Sequence, residues 1–370
     1  PPAFNKDKEN NLLHIYNIII HEFQHFLGNT LVIVAFIEDK RLRNQSNFFL
    51  LNLAICDFFI GAFCVPMYVP YLITGKWMLG SIFCKLWLVV DNLMCTASAL
   101  SVVLISYDRF LAVTMAVVLN NHTGQTVLKM IAVWVLSCLV YSPAILLWDY
   151  FDEEKSVHDN VCIPGYFYSW YFLLGASTFD FILPLTSISF FNLSIYLNIK
   201  IRSKNKRQVI ISSISTEESE IPGSSGAISS NIFNNGRISK TTDPPLLKSP
   251  ALQLLTRCFG KNIKISSSQN EQVVCNNIRI IKLSQDKKIA KSLSLLVCVF
   301  CICWAPYSLL MVTRAACHDY CIDSYWYEIT FWLLWINSSI NPLLYPLCHK
   351  SFKRAFIKVI YKWLCIKKKE

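Results

Sequence analysis

The chain has 370 residues, of which 54% are hydrophobic and 16% are charged, and its formal net charge is +11. The charged share lies well below the ~25% of soluble domains, and the apolar residues gather into seven runs of membrane-spanning length, which argues against a soluble two-domain protein. The basic residues flank alternate apolar runs, so the positive charge indicates orientation in a membrane rather than binding to nucleic acid.

Seven membrane-spanning helices are predicted, joined mostly by short connections, so the fold class is an all-α membrane protein. In chain order the predicted spans are 14–37, 48–72, 82–113, 128–147, 167–199, 289–312 and 325–347. Lys40, Arg41 and Arg43 follow the first span, whereas the loop that holds Asp152 and Glu153 is acidic. The positive-inside rule then predicts a plasma-membrane protein with an extracellular N-terminus and a cytosolic C-terminus.

The start of the chain is unusual for this class of protein. It begins with Pro1 rather than Met, so residues 1–13 are expected to be an incomplete or atypical extracellular N-terminus. The first span contains His21, Glu22 and His25, and only 26–37 is convincingly apolar, which is too short to cross a bilayer. Two interpretations stay open: this half-helix faces the bundle, or residues 1–25 do not belong to the fold.

Two segments are predicted to lie on the cytosolic side. Residues 200–288 are rich in Ser, Asn and Lys and carry turn signals at Pro222 and Pro244, which predicts a disordered third loop. In the tail, 348–370, Phe352, Phe356 and Ile360 recur every four residues opposite lysines, which predicts an amphipathic helix on the membrane surface. Cys365 near its end either carries an acyl chain or is a free thiol.

Most of the fifteen cysteines lie inside apolar runs and are expected to be buried thiols. Four lie in or next to predicted extracellular segments, where the environment is oxidising: Cys84, Cys162, Cys317 and Cys321. These four are the disulfide candidates. Cys317 and Cys321 could instead bind zinc, but the sequence offers no fourth ligand for such a site.

Three carboxylates lie within the apolar runs, at Asp57, Asp91 and Asp180. A carboxylate at membrane depth costs several kcal/mol unless water, a cation or a hydrogen bond meets it, so each marks a candidate functional site. Asp91 and Asp180 lie on different spans, and if they face one cavity they predict a small cationic ligand. The alternative is an internal ion pair, but no Lys or Arg lies at mid-span to form it.

Four further motifs place polar or helix-kinking residues at specific points of the spans. The seventh span contains Asn341-Pro342 followed by Tyr345, and the sixth has Pro306 just after Trp304. The third span ends in Asp108-Arg109-Phe110, and the second carries Asn52 five residues before Asp57. In this order on seven spans, the motifs resemble the rhodopsin-like family of G-protein-coupled receptors, over the whole chain except about the first 25 residues.

The resemblance implies a seven-helix bundle whose extracellular pocket controls a cytosolic cleft for a heterotrimeric G protein, with arrestin as a further partner and no cofactor. The residues that match the family's anchors are Asn29, Asp57, Arg109, Trp134, Pro184, Pro306 and Pro342. It also implies a disulfide between Cys84 and Cys162. Asp57, Ser98, Asn337 and Asn341 match its sodium pocket, for which the alternative is a water-linked polar core.

Asp91 matches the acid that binds the ligand ammonium in the aminergic group of the family. The ligand-binding residues that the resemblance implies are Asp91, Asn92, Cys95, Ser177, Asp180, Trp304, Tyr307, Phe331 and Trp335. Receptors for catechols have serines on the helical turn where this chain has Asp180. An acid at that place favours a ligand that carries an N–H donor at the end opposite its ammonium, which suggests histamine. The motif-bearing stretches are similar to the histamine-receptor subfamily, its type 4 group first and its type 3 group next.

That subfamily couples to inhibitory G proteins and lowers cyclic AMP. The chain departs from it in having Asp180 in place of Glu and Asn92 in place of Tyr. The residues matching the G-protein switch are Asp108, Arg109, Asp286, Asn341, Pro342 and Tyr345. An ion pair between Asp286 and Arg109 predicts low basal activity.

Other functional classes fit the sequence less well. A retinal pump needs a mid-span Lys for its Schiff base, a transporter would favour internal repeats, and the nucleophile, metal and phosphate-loop motifs of enzymes are missing from the sequence. A receptor for another amine, and a degenerate relative that does not signal, remain the alternatives.

Overall fold

The computed structural model describes residues 24–114, 123–151, 161–218, 269–317, 321–348 and 350–366. Every regular element in these ranges is a helix, as the all-α prediction requires. The eight helices are α1 (24–38), α2 (Gln45–Phe59, Ile60–Cys64 and Val65–Thr74), α3 (Gly80–Thr114), α4 (Thr123–Phe151), α5 (Trp170–Ser177, Thr178–Ile182 and Leu183–Glu218), α6 (Gln269–Ala316), α7 (Ser324–Cys348) and α8 (Lys350–Ile366). Short 3-10 turns occur at Lys40–Leu42 and Gly165–Tyr168.

Five helices are long and apolar enough to cross a membrane by length and composition. These stretches are Asn47–Thr74, Gly80–Thr114, Gly124–Trp148, Trp170–Lys204 and Leu293–Ala316, and they match the predicted second to sixth spans. The described part of α1 is shorter than a membrane span, and Asn337 and Asn341 make α7 more polar than the other five.

α5 and α6 are longer than predicted, and they take up both ends of the segment expected to be a disordered loop. α5 starts at Trp170 rather than Phe167, which lies in a 3-10 turn, and it continues to Glu218, while α6 starts at Gln269. Neither extension contains Gly or Pro, and α5 stops shortly before Pro222, so nothing in these residues breaks a helix. Residues 219–268 lie outside the described part of the chain.

The described residues within 24–195 and 288–366 form one compact unit, which contains all of the site considered below. Those within 196–287 form a second unit, the far end of α5 and the start of α6. In this second unit the Lys200 ammonium lies 5.8 Å from the centre of the Tyr196 ring.

Two polar residues of α1, His25 and Asn29, face the bundle. His25 and Asn29 are fully buried, and the Asn29 side chain donates to the Ser338 carbonyl of α7 at 3.3 Å. Gly28 lies so close to α7 that a Cβ atom there would be 3.1 Å from the Pro342 ring. For residues 24–38, therefore, the first of the two interpretations of the N-terminal half-helix is correct; residues 1–23 lie outside the described part.

A buried hydrogen-bonded network joins α2, α3 and α4. The Asn52 amide donates to the Ser101 hydroxyl at 2.9 Å and accepts from the Trp134 indole, also at 2.9 Å. Since Asn52 is 5% exposed, each partner replaces a water that the amide loses on burial. The network holds the three helices in one lateral register, which fixes the position of α3 and of its acid, Asp91.

α8 is amphipathic as predicted, and two of the three residues in the predicted apolar series, Phe352 and Phe356, are buried. Phe352, Ala355, Phe356 and Val359 are buried against the bundle, while Ile360 is 43% exposed. A spacing of four residues advances about 40° beyond a full turn each time, so the third member of the predicted series has rotated out to the surface. The Phe352 ring contacts Tyr345 of α7, with 5.8 Å between ring centres.

Candidate ligand pocket and polar core

A cavity opens between α2, α3, α4, α5, α6, α7 and the segment after Cys162. Its volume is about 130 Å³, which is room for roughly ten waters at ~10–15 Å³ each, or for a ligand with a similar number of non-hydrogen atoms. The polar side chains that line it include Asp91, Asn92, Cys95, Thr96, Tyr141, Ser177, Asp180, Tyr307 and Ser308. The structure therefore brings the two acids Asp91 and Asp180 to the wall of one cavity.

Asp91 is 6% exposed and is held by donors from two other helices. The Trp335 indole of α7 donates to its carboxylate at 3.1 Å, and the Cys64 thiol of α2 also hydrogen-bonds to it. These contacts offset part of the cost of burying the charge, but neither neutralises it. Among the described residues, Asp91 has no Lys, Arg or His in ion-pair contact.

A wide turn in α2 brings Cys64 to this place. Residues Ile60–Cys64 form a π-helical turn, which fits one more residue into the helix and leaves a carbonyl without its usual helical donor. The Cys64 carbonyl instead accepts from the Trp87 indole of α3 at 2.8 Å. Gly61 allows the turn to pack against α1, since a Cβ atom there would lie 3.1 Å from the His25 ring.

Asp180 also lies in a π-helical turn, Thr178–Ile182 of α5, and it is 7% exposed. The Thr96 hydroxyl of α3 donates to its carboxylate at 3.2 Å, and the Tyr141 phenol of α4 forms a second hydrogen bond with it. Asp180 likewise has no cationic side chain in contact among the described residues. Both acids thus line the cavity, and neither has its charge neutralised by a cationic side chain of the described residues, so both are open to a cationic ligand.

Aromatic rings in mutual contact line the cavity near Asp91. Phe331 lies 4.4 Å from Trp335, 5.8 Å from Tyr307 and 5.9 Å from Tyr327, measured between ring centres. Tyr68 of α2 closes the group at 5.2 Å from Phe331. Electron-rich ring faces around a carboxylate suit an ammonium group, which gains cation–π attraction from the rings and a charge-assisted hydrogen bond from the acid.

The other predicted ligand-binding residues lie at or near this cavity, with differences at Asn92 and Trp335. Asn92, Cys95, Ser177 and Trp304 line it, but the Asn92 amide donates back to the Leu88 carbonyl of its own helix at 2.8 Å. Trp335 is 1% exposed and lies behind Asp91, so it holds the acid rather than walling the cavity.

Sequence reasoning did not pick out Thr96, Tyr141 and Cys64 as neighbours of the acids. Thr96 and Tyr141 are polar residues within apolar spans, and that is the signal that was available. Tyr166 was missed as well: it is 3% exposed in the segment after Cys162, and burial, together with the nearby acids, raises the pKa of its phenol well above the usual range. It therefore lines the cavity as a neutral hydrogen-bonding group.

A second polar cluster lies deeper in the bundle around Asp57, which is fully buried. Its carboxylate accepts from the Ser98 hydroxyl at 3.0 Å, from the Asn341 amide at 2.8 Å and from the Ser338 hydroxyl. Three of the predicted sodium ligands therefore meet here, and Ser338 joins them. Asn337 is buried on the same helix, with no hydrogen bond to Asp57 among those described.

The predicted switch residues lie toward the far end of α3 and α7 from the cavity. Asp108 is 3% exposed and Arg109 is half-buried, while Tyr345 is 2% exposed with its ring against Phe352. The Asp286 side chain lies outside the described part of the chain, so its ion pair with Arg109 stays a prediction.

The described residues contain two disulfides. Cys84 at the start of α3 is bonded to Cys162, with 5.6 Å between Cα atoms, and Cys317 is bonded to Cys321 at the α6–α7 connection. The first carries the segment 162–167 over the cavity, where Ile163, Pro164 and Phe167 line it. The pairing implied by the family resemblance is therefore present, and so is the small loop disulfide.

Comparison with known proteins decides the family. The family described as 7 transmembrane receptor (rhodopsin family) matches residues 28–345, most of the chain. The chain belongs to this family. The receptor is 39% identical to the histamine H4 receptor of Homo sapiens over 364 residues, which cover 94% of the receptor and 90% of that protein.

Other relatives are similar in the same way. The histamine H4 receptor of Rattus norvegicus is 38% identical over 369 residues, covering 92% of this chain and 89% of that one, and the muscarinic acetylcholine receptor M1 of Homo sapiens is 26% identical over 402 residues, covering 91% and 86%. All of these relatives are receptors rather than enzymes, so the chain is a membrane receptor of the amine-receptor kind.

Proposed function

We propose that the receptor binds histamine between Asp91 and Asp180 and passes the signal to an inhibitory G protein. The observation that carries the proposal is the pair of buried carboxylates that line one small cavity, with no cationic side chain of the described residues in contact with either. A ligand with an ammonium at one end and an N–H donor at the other satisfies both. Relatives that are 37–39% identical to the receptor are named histamine H4 receptors, which supports histamine as the ligand.

In the proposed binding mode the ligand ammonium lies against Asp91 and the rings of Phe331 and Tyr307. Its imidazole donates to Asp180, whose side chain is one methylene shorter than Glu, so a bridging water completes the contact. Cys95, Ser177 and Trp304 line the space between the two ends. Asn92, which bonds to its own helix, stands where the subfamily has a Tyr and so removes part of an aromatic wall.

The proposed activation is a two-state change. A ligand that bridges α3 and α5 favours the arrangement in which the two helices are closer, by as much as its affinities for the two states differ. Trp304, whose ring stacks on Phe300 at 5.3 Å between ring centres, repacks, and α6 swings about its kink at Pro306. The swing releases Arg109, which the proposal groups with Asp108, Asn341, Pro342 and Tyr345 as switch residues, and opens the cleft for the G protein.

Sodium is proposed as an allosteric ion at Asp57, with Ser98, Asn337 and Asn341 as the other ligands. The Asp57 carboxylate and the neighbouring hydroxyl and amide groups offer the oxygen atoms that a hard cation takes. A sodium ion there would favour the inactive state. The receptor is proposed to lie in the plasma membrane with the disulfide-bearing end outside and α8 in the cytosol, where the basic residues of that helix face anionic lipid.

The test is a panel of biogenic amines on cells that express the full chain, with cyclic AMP as the readout. Histamine is expected to lower cyclic AMP, and Asp91→Asn to reduce its potency on the order of 100-fold, because a charge-assisted bond is lost. Asp323→Asn, which removes an exposed acid that does not line the cavity, is the matched control.

Three other results would contradict parts of this proposal. A catecholamine more potent than histamine would remove the subfamily assignment. Full potency in Asp91→Asn would remove the ammonium site. A chain that reaches the cell surface but neither binds nor responds to any amine would indicate a non-signalling relative.

A further inference from the structure

A cationic residue, Arg314, lies close to the cavity whose described lining carries the two acids Asp91 and Asp180. Arg314 is half-buried near the end of α6, and it follows Tyr307 and Met311 at spacings of seven and three residues. These spacings place the three side chains on one face of the helix. Tyr307 and Met311 line the cavity, so Arg314 stands one turn farther out on the cavity side.

Two aromatic rings hold this guanidinium group. It lies 5.1 Å from the centre of the Phe167 ring and 4.9 Å from the centre of the Tyr327 ring, both within cation–π distance. The two rings meet edge to face, with 6.2 Å between centres, and both line the cavity. Arg314 therefore joins α6 to α7 and to the segment after Cys162, through two rings that line the cavity.

The contact continues inward to the ligand-binding acid. The Tyr327 ring stacks on Phe331 at 5.9 Å and 9° between planes, and Phe331 contacts Trp335, which donates to Asp91. On the other side, disulfides restrain both attachments of the clamp: Cys84–Cys162 restrains the segment bearing Phe167, and Cys317–Cys321 restrains the end of α6. These contacts fix the position of the guanidinium relative to the acids. Its electrostatic effect on a ligand in the cavity therefore acts from a fixed distance.

We infer that Arg314, clamped between Phe167 and Tyr327, is a selectivity gate at the entrance, which discriminates against ligands with more than one positive charge and slows the exit of a bound amine. The inference rests on the proposed amine site. The repulsion between a fixed cation and a ligand is proportional to the ligand's charge, so the repulsion energy of a dication is about twice that of a monocation. The clamp must open for the ligand to pass, so it also lengthens the time that a bound amine stays.

Two variants of Arg314 separate the effect of its charge from the effect of its contacts with the two rings. Arg314→Gln removes the charge and the cation–π contacts while keeping a planar polar end. Arg314→Lys keeps the charge but replaces the flat guanidinium with a point charge that cannot stack on two rings. Charge selectivity should change in the first variant alone, whereas the exit rate should change in both.

The experiment uses membranes with the full chain and radiolabelled histamine as tracer, at pH 7.4. Phenethylamine, with one ammonium, and 1,5-diaminopentane, with two, compete for binding. In Arg314→Gln the affinity of the diamine should rise about threefold to tenfold more than that of phenethylamine, and in Arg314→Lys the ratio should stay within about twofold. Tracer dissociation should be at least about threefold faster in both variants.

Lys76→Gln is the matched control, because it removes an exposed charge near the Gly80 end of α3 without touching the cavity. Arg314→Met, which keeps an unbranched stem, replaces Arg314→Gln if the latter does not reach the cell surface. An unchanged diamine-to-monoamine ratio in the charge-removing variant, or a change of equal size in Lys76→Gln, overturns the gate and leaves the proposed function intact. A wild-type chain that binds no tracer and no unlabelled amine overturns the proposed function, and the gate with it.

Discussion

The indole N–H of Trp335 donates a 3.1 Å hydrogen bond to the carboxylate of Asp91, so the acid proposed to bind the ammonium is itself held in place from α7. Trp335→Phe keeps an aromatic ring and removes the donor. We expect amine affinity to fall about tenfold, because a bond to a charged group is lost and the acid is free to rotate. Saturation binding of a labelled amine measures the effect.

Trp332 provides the matched control for that experiment. It packs against Trp335 with 5.2 Å between ring centres, and its indole N–H has no hydrogen-bond partner among the described residues. Trp332→Phe should change affinity by less than about twofold. Equal losses in the two variants would show that ring volume, and not the bond to Asp91, matters.

The second acid depends on a residue of α4. Tyr141→Phe removes the phenol that hydrogen-bonds to Asp180 and leaves the ring in its contacts with Tyr166 and Phe172. The buried carboxylate then loses a donor that stabilises its charge and holds its orientation toward a ligand N–H. We expect histamine affinity to fall about threefold to tenfold, and the affinity of phenethylamine, which lacks a second polar end, to change by less than about twofold.

An exposed tyrosine of α5 serves as the control for Tyr141. Tyr171 is 63% exposed and does not line the cavity, so Tyr171→Phe should leave both affinities unchanged. Parallel losses for histamine and phenethylamine in Tyr141→Phe would contradict a role that is specific to Asp180.

The two disulfides should contribute very differently to stability. Cys84–Cys162 closes a loop with a sequence separation of 78, whereas Cys317–Cys321 closes one of only 4. Since the entropic effect of a crosslink grows with loop length, Cys162→Ser should cost about 2–5 kcal/mol of stability and Cys321→Ser much less. Thermal unfolding of purified receptor in detergent, with Cys138→Ser of an exposed free thiol as control, measures the order.

The buried network of α2, α3 and α4 makes a prediction about stability alone. Asn52→Leu leaves the Trp134 indole and the Ser101 hydroxyl without their partner at Asn52, at a cost of about 1–3 kcal/mol for an orphaned group. The thermal midpoint in detergent should fall by several degrees. Ser137→Ala is the comparison: that hydroxyl is buried and has no hydrogen-bond partner among the described residues, so its removal should be neutral or stabilising.

The proposed sodium site is tested by ion replacement. If sodium binds at Asp57, agonist affinity should fall as sodium chloride is raised, and potassium chloride at equal ionic strength should have a smaller effect. Asp57→Asn, which removes the charge while keeping hydrogen-bonding capacity with Ser98 and Asn341, should abolish the difference between the two salts. A sodium effect of wild-type size in Asp57→Asn would contradict the site.

Much of the fold could be predicted from the sequence because membrane spans are recognised by the length and low polarity of their apolar runs. The spans α2 to α6, the amphipathic α8 and the acids inside apolar runs all depend on composition within a window, and a lipid environment makes that signal strong. The ends of α5 and α6 were misjudged because helix outside the membrane depends on local propensity and on contacts that composition does not show.

The candidate site was predictable at the level of residue type but not of contact. Asp91 and Asp180 stand out as charges at membrane depth, whereas the donors that hold them, Trp335 and Tyr141, read as ordinary aromatic residues of a span. Which face of a helix such a residue occupies depends on the helical phase. The π-helical turns of α2 and α5 shift that phase, and nothing in a 3.6-residue period reveals them.

The π-helical turn around Asp180 determines which positions should be chosen for substitution when this pocket is redesigned. Counting outward from Pro184 in steps of a regular helix places each side chain beyond Asp180 about one position away from where it lies. Grafting side chains from a protein whose fifth helix is regular would therefore aim them at lipid. A one-residue deletion between positions 178 and 182 would turn the outer segment by roughly 100°, so the correct template for substitution is the three-dimensional superposition.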